Sequence, residues 1–198
     1  SLHDALPIST GWNELNLKIN TTGADFTDKS VQREYERIDF YSYIVHIVQR
    51  LMNPKAGGKR NGILVFTRFL KEAERLTWSI PGCVIVSGDT PKKERERILE
   101  MFKTGEIPVV ANVGVLTTGF DYPELDTVVM ARPTMSLAMY YQIVGRCIRP
   151  YKGKTAWFVD LCGNINRFGK VADLYLKDSG NGKWAVFSKG RQLTNVRF

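Results

Sequence analysis

Gln142, Gly145, Arg146 and Arg149 stand at i, i+3, i+4 and i+7 within residues 140–150, so on a helix they share one face. Two guanidiniums fixed beside an approachable backbone suit a polyanion, most economically a nucleotide phosphate. Glycine costs stability inside a helix, so Gly145 needs a reason. Leu137, Tyr141, Val144 and Ile148 recur at i, i+4, i+7 and i+11 and are expected to form the buried stripe of the same helix, which Pro150 ends. Taken singly, either arginine also fits a solvated basic face.

A second stretch, residues 112–123, carries Thr117 and Thr118 as hydroxyl donors, Gly119 as a point of close backbone approach, and Asp121 as a carboxylate of the kind that accepts ribose hydroxyls. By itself Thr-Gly-x-Asp describes a capped turn equally well. The elements that must position both stretches alternate regularly. Continuous apolar runs at residues 63–66, 83–86, 108–111, 127–130 and 155–159 read as strands covered on both faces. Between them lie helical patterns: Leu70, Ala73, Leu76 and Ile80 behind Thr67 as N-cap, and Ile98 and Phe102 behind Thr90-Pro91, closed by Gly105. This rhythm predicts an α/β fold, a mostly parallel sheet in a three-layer α/β/α sandwich. Ligands of such sheets sit outside the carboxyl ends of the strands, where Thr67-Arg68, Ser87-Gly88, Asn112 and Arg132 fall, although loops are polar in any case.

Before the first of these strands one long helix is expected from Asp28 to Asn53-Pro54. After the last, residues 183–187 and 192–196 flank a turn at Lys189-Gly190 and predict a small β-hairpin. The expected organisation is a terminus at residues 1–11 outside the fold, either an artefact of a truncated gene end or a native flexible segment. A main domain over residues 12–176 and a hairpin appendage over residues 177–198 follow.

Among 198 residues, 28 Lys and Arg against 20 Asp and Glu give a net charge of +8, which favours an anionic partner. No apolar run has the length of a membrane span and no signal-peptide pattern is present, so a cytoplasmic protein with no membrane partner is expected. Cys83, Cys147 and Cys162 are widely spaced and read as reduced core thiols rather than a disulfide framework or a zinc site.

These motifs resemble, in order and spacing, the second RecA-like domain of a superfamily 2 helicase, in the branch of DNA-repair helicases, phage recombination helicases and restriction-enzyme translocases. Residues 63–68 (Ile-Leu-Val-Phe-Thr-Arg) resemble its motif IV, and Ser87-Gly88 with Glu94-Arg95 the element that follows. Residues 116–121 (Leu-Thr-Thr-Gly-Phe-Asp) resemble motif V, and residues 142–149 resemble motif VI in its Q-x-x-G-R-x-x-R form. Residues 131–134 (Ala-Arg-Pro-Thr) and 160–164 (Asp-Leu-Cys-Gly-Asn) continue the likeness, which spans about residues 60 to 175.

The resemblance implies that Arg146 and Arg149 are arginine fingers toward the γ-phosphate of ATP, with Gln142 coupling the nucleotide to the motif V loop. It places Gly119 and Asp121 at phosphate and ribose, and Thr67, Arg68, Gly88, Asn112 and Thr118 on the backbone of a nucleic-acid strand. No G-x-x-x-x-G-K-[ST] is present; the only Gly-Lys-Thr, at residues 153–155, has Ile148 where the first glycine belongs. ATP and Mg²⁺ are therefore expected to be held mainly by an N-terminal RecA-like domain of the same protein, and this chain alone is expected to be inactive. The implied partner is DNA, single-stranded or branched, in a bacterial or phage-infected cell. The alternatives are a non-catalytic nucleic-acid-binding module of the same fold, or an RNA helicase domain, which Ile143 disfavours because the H-R-x-G-R-x-x-R form has arginine there. The motor reading further expects both arginines over the carboxyl edge of the sheet and outside ion pairs within the lobe.

Overall fold

In chain order the elements are β1 (Ala5–Ser9), α1 (Asp28–Arg37), α2 (Phe40–Met52), β2 (Ile63–Thr67), α3 (Leu70–Ser79), β3 (Cys83–Val86), α4 (Lys92–Thr104), β4 (Val109–Val113), β5 (Thr127–Ala131), α5 (Leu137–Cys147), β6 (Ala156–Asp160), α6 (Asn164–Phe168), β7 (Leu174–Asp178), β8 (Trp184–Ser188) and β9 (Arg191–Gln192). The computed structural model describes residues 5–9, 15–55, 59–60, 62–115, 121–147, 149, 151–178 and 184–193. Strands β1 to β6 form one parallel sheet in the order β1-β6-β5-β2-β4-β3, and β7 to β9 form a separate antiparallel sheet.

Alternation along the strands builds the three layers. Ile63, Val65, Val109, Ala111, Val129 and Val159 point to one face, where α1, α2 and α3 cover them with Val31, Tyr35, Ile44, Val48 and Leu76. Leu64, Phe66, Val110, Val128, Met130 and Phe158 point to the other, against Ile98 and Phe102 of α4, Tyr140, Ile143 and Val144 of α5, and Phe168 of α6. Successive residues thus serve opposite cores, which is why β2 and β5 are buried at every position. The α/β/α sandwich expected from the sequence is present.

Four details differ from the sequence expectation. The single long helix is two, because Asp39 takes a left-handed conformation (φ 48°) and its side chain then caps the amide of Ser42. The break stacks Tyr35 on Phe40 at 4.0 Å, across a five-residue step that one helix cannot place on a single face. Thr67 is no helix cap; it ends β2 with its hydroxyl donated to the Asn112 carbonyl at 3.4 Å, and Phe69 precedes α3. Within residues 1–11, Ala5–Ser9 forms an edge strand in parallel register with Ala156–Asp160. The hairpin β8–β9 turns at Lys189-Gly190 as expected, both with positive φ, but it gains a third strand, β7. Gly169 joins this sheet to α6 at φ 83° and ψ 179°, a region open essentially to glycine alone, and an added Cβ would collide with Ser188 Oγ.

Glu72, in the first turn of α3, is fully buried and accepts from the Phe69 amide at 3.4 Å. Burial pushes its pKa from 4.5 up to about 7, against the pull of the surrounding amides and of Arg68. A carboxyl that holds its proton more tightly when folded stabilises the fold below its ordinary pKa, and that stability is lost as pH rises toward the folded value. The loss amounts to about 3 kcal/mol for a shift of this size. Glu72→Gln keeps the acceptor and removes the ionisation. Its unfolding temperature is expected to fall less than that of the unsubstituted chain as pH is raised from 4.5 to about 7, measured by circular dichroism.

Candidate functional site

Helix α5 begins where Ser136 caps it, its Oγ accepting from the Met139 amide at 3.2 Å. Its buried stripe is Tyr140, Ile143 and Val144, at i, i+3 and i+4. Tyr140 stacks on Phe168 at 5.2 Å and donates to the Gly169 carbonyl at 2.9 Å. The sequence reading chose Tyr141 for this stripe, yet Tyr141 is 52% exposed; the stripe runs one residue earlier because Tyr140 has both a ring to stack on and an acceptor for its hydroxyl. Gln142 is exposed, and Gly145, Arg146 and Arg149 are half-buried. Burial lowers the pKa of Arg146.

The helix follows the carboxyl end of β5 and precedes the amino end of β6, so it runs antiparallel to both. Arg146, in its last turn, and Arg149 therefore reach the amino edge of the sheet, not the carboxyl edge expected from the sequence. Asp121, shortly before β5, lies at the same edge, where its Oδ1 forms an ion pair with Arg149 Nη1. The pairing also departs from expectation, which had both arginines outside ion pairs within the lobe. It is an open contact: the Arg149 side chain is 36% exposed and that of Asp121 76%. Nearby, Lys154 Nζ donates to the carbonyls of Pro123 (2.8 Å) and Leu125 (3.2 Å), which fastens the segment before β5 to the turn before β6. In the strand order β2 separates β4 from β5, so the motif V loop and α5 do not leave neighbouring strands; they meet across the edge instead. Gly119 and Thr118 lie outside the described residues.

The remaining candidates gather at the carboxyl edge. Gly88 is exposed, and a Cβ added to it would meet nothing within 4 Å among the described residues. Thr67 and Asn112 are fully buried, and Asn112 Oδ1 accepts from the Val115 amide at 3.3 Å. Arg68 is likewise committed inside the lobe. It donates to Asp28 Oδ1 (2.8 Å), Asp25 Oδ2 (3.2 Å) and the carbonyls of Phe26 (2.7 Å) and Pro133 (3.3 Å), with its side chain 9% exposed. Asp25 Oδ1 also accepts from the Met135 amide at 3.0 Å.

Beside this hub Asp160 accepts from Cys162 N (3.1 Å), Asn164 Nδ2 (2.9 Å) and Ile165 N (2.7 Å). Asn164 passes the network on, donating to the Arg132 carbonyl (3.0 Å) and accepting from Thr134 N (3.1 Å) and Arg167 (2.9 Å). Burial raises the Asp160 pKa against these donors. Arg132, half-buried next to Arg68, has its pKa lowered by burial and then by that neighbouring charge, and its Nε has no hydrogen-bond partner among the described residues. The sequence reading left Asp25, Asp160 and Asn164 without roles. The four-residue spacing of Asp160 and Asn164 around Gly163 was the available signal; Asp25 gave none.

Comparison with known proteins identifies the family and the fold. Residues 43–151 match the model of the helicase conserved C-terminal domain, which takes in β2 through α5 and both arginines. A 51.5 kDa protein of a Lactococcus phage (isolate 7-9) is 27% identical over 169 residues, 84% of this chain and 36% of that protein. The ATP-dependent RNA helicase DBP3 of Gibberella zeae is 33% identical over 114 residues, 55% of this chain and 19% of that protein. The chain thus spans well under half the length of either relative. Among solved structures, a fragment described as an HsdR subunit of a type I restriction enzyme from Vibrio vulnificus YJ016 superimposes with a TM-score of 0.57 at 20% identity, covering 67% of this chain and 29% of that one. With the family model matching more than half of its length, the chain belongs to the helicase conserved C-terminal domain family of superfamily 2 and has that family's RecA-like fold.

Proposed function

We propose that this chain is the second motor lobe of an ATP-dependent DNA helicase or translocase. In this reading an N-terminal RecA-like lobe of the same protein holds ATP and Mg²⁺, and Arg146 and Arg149 reach the nucleotide as arginine fingers. What supports it is the family match over residues 43–151, which takes in both arginines. Their place at the amino edge and the Arg149–Asp121 ion pair run against the sequence expectation, and the reading requires that pair to open. ATP would supply the phosphoanhydride whose hydrolysis drives the cycle. The residues present suit its two ends: half-exposed guanidinium donors match phosphate oxygens, and an exposed carboxylate accepts sugar hydroxyls.

An exposed ion pair contributes at most about 1 kcal/mol, so Asp121 releases Arg149 at little cost when a phosphate competes for it. The guanidinium then offsets negative charge that develops in phosphoryl transfer, a contribution of several orders of magnitude in related systems. Gln142, exposed on the same helix, is assigned to relaying nucleotide occupancy to the motif V loop, with Gly119 beside the phosphates. The nucleic-acid strand belongs at the opposite edge, near Gly88 and the half-buried Arg132, while Thr67, Arg68 and Asn112 act indirectly by fixing the loops there. The preference for DNA over RNA rests on Ile143, which fills the core of α5 where the DEAD-box pattern has arginine.

In the complete two-lobe protein, Arg149→Ala is expected to abolish DNA-stimulated ATPase while binding of a single-stranded oligonucleotide stays within about twofold. Equal loss of both activities would assign Arg149 to the strand, and stimulation by RNA alone would replace DNA as the partner.

Gly145 separates fold from function. It has no positive φ and a Cβ built on it meets nothing within 4 Å among the described residues, so no contact seen inside the lobe requires glycine. Gly145→Ala is expected to stabilise this chain by about 0.5–1 kcal/mol in urea unfolding, since alanine is the better helix former, and yet to lower ATPase in the two-lobe protein because the added methyl faces the docking nucleotide. A variant that is both more stable and fully active would remove the glycine from the site.

A further inference from the structure

The C-terminal three-stranded sheet lies beyond the family match, and the proposed motor chemistry makes no use of it. Tyr175 and Phe187 face each other across β7 and β8 and stack with ring centroids 5.8 Å apart and planes 21° apart. Lys177, two residues along β7 and so on the same face, places its Nζ 5.9 Å from the Phe187 ring. Tyr175 is 43% exposed, and Lys177 is exposed beside it. The described part of residues 170–193 carries Lys170, Lys177, Lys189 and Arg191 against Asp173 and Asp178, with all four cations exposed.

This sheet is anchored at the carboxyl edge of the main sheet. It leaves α6, which follows the carboxyl end of β6; Gly169 packs on Ser188, and Arg191 donates to the Arg167 carbonyl. Arg167 in turn holds Thr134 and Asn164 in the network below Arg132. An exposed tyrosine stacked on a half-buried phenylalanine with a lysine beside them, on the edge already assigned to a strand, is the arrangement that binds single-stranded nucleic acid through base stacking and phosphate contacts together.

We propose that the Tyr175–Phe187 pair with Lys177 is a stacking platform for an unpaired base of the strand that crosses the carboxyl edge. The assignment rests on the motor reading only in taking that edge as the strand's path. The solvent-facing side of Tyr175 supplies the π surface, Phe187 fixes its orientation from beneath, and Lys177 neutralises a flanking phosphate. Recognition is of base planes, so it tolerates sequence.

The test is fluorescence anisotropy of the 198-residue chain with labelled oligo-dT, oligo-U and an abasic deoxyribose-phosphate strand of equal length, across a salt series. Tyr175→Ala is expected to weaken oligo-dT binding roughly tenfold, Tyr175→Phe to restore it, and neither to change binding of the abasic strand. Lys177→Ala is expected to lower the slope of log affinity against log salt by about 1. Unchanged unfolding temperatures identify these as binding effects. If Tyr175→Ala binds oligo-dT like the unsubstituted chain, the face belongs to a protein partner and the platform is wrong, although the motor reading stands. If Arg132→Ala weakens all three strands while Tyr175→Ala does nothing, the edge carries the backbone but not the base. If the unsubstituted chain binds no strand at low salt, both assignments fall together.

Discussion

A buried guanidinium at the carboxyl edge, that of Arg68, holds the most distant parts of this lobe to one another. Its partners are Asp25, Phe26 and Asp28 from the start of α1 and Pro133 from the loop after β5. A charge with 9% exposure is tolerable only when its donors are satisfied, and here contacts to two carboxylates and two carbonyls achieve that. Removing either acid would strand part of the remaining charge, so the segment before α1 is bound to the sheet by electrostatic necessity as well as by apolar packing. The second network, from Asp160 through Asn164 to Thr134 and Arg167, does the same for the loops after β5 and β6. Arg167 joins the two, since its guanidinium lies 4.8 Å from the Phe26 ring.

This rigidity alters the division of labour among the sequence motifs. Residues at the ends of β2 and β4, which motif resemblance assigns to the strand, are Thr67 and Asn112, and both are fully buried. Thr67 donates to the Asn112 carbonyl and Asn112 Oδ1 accepts from the Val115 amide, so the two tie the ends of neighbouring strands together. Arg132 stands half-buried beside Arg68, its pKa lowered by burial and then by its neighbour's like charge. Arg146 and Arg149 belong to the other edge, where Asp121 pairs with Arg149.

The sheet was legible in the sequence because both-face burial leaves an unmistakable mark. Runs such as residues 63–66 and 127–130 have no polar face and no room for a helix, and their order predicted the sandwich. The helix break at Asp39 was less legible, since the apolar residues on either side each fit a helical period and only the step from Tyr35 to Phe40 violates it. The edge reached by Arg146 and Arg149 was readable in principle: a helix that leaves one parallel strand must return to the start of the next, so its last turn lies at the amino edge. The reading of Tyr141 as buried failed because spacing cannot distinguish two tyrosines in succession; the partner ring of Phe168 decides between them. Asp25 could not be found at all, because the partners that tie it to the rest of the lobe, Arg68 and Met135, lie more than forty residues away along the chain.

The course of α5 has a mechanical corollary. The helix spans the full length of the strands it covers, about 16 Å at the rise of an α-helix, with Ser136 at one edge and Arg146 at the other. Tyr140, Ile143 and Val144 clamp it to the sheet along that distance. A push delivered at its far end therefore emerges at the near end almost undiminished, as in a strut, with no hinge between them to absorb the stroke.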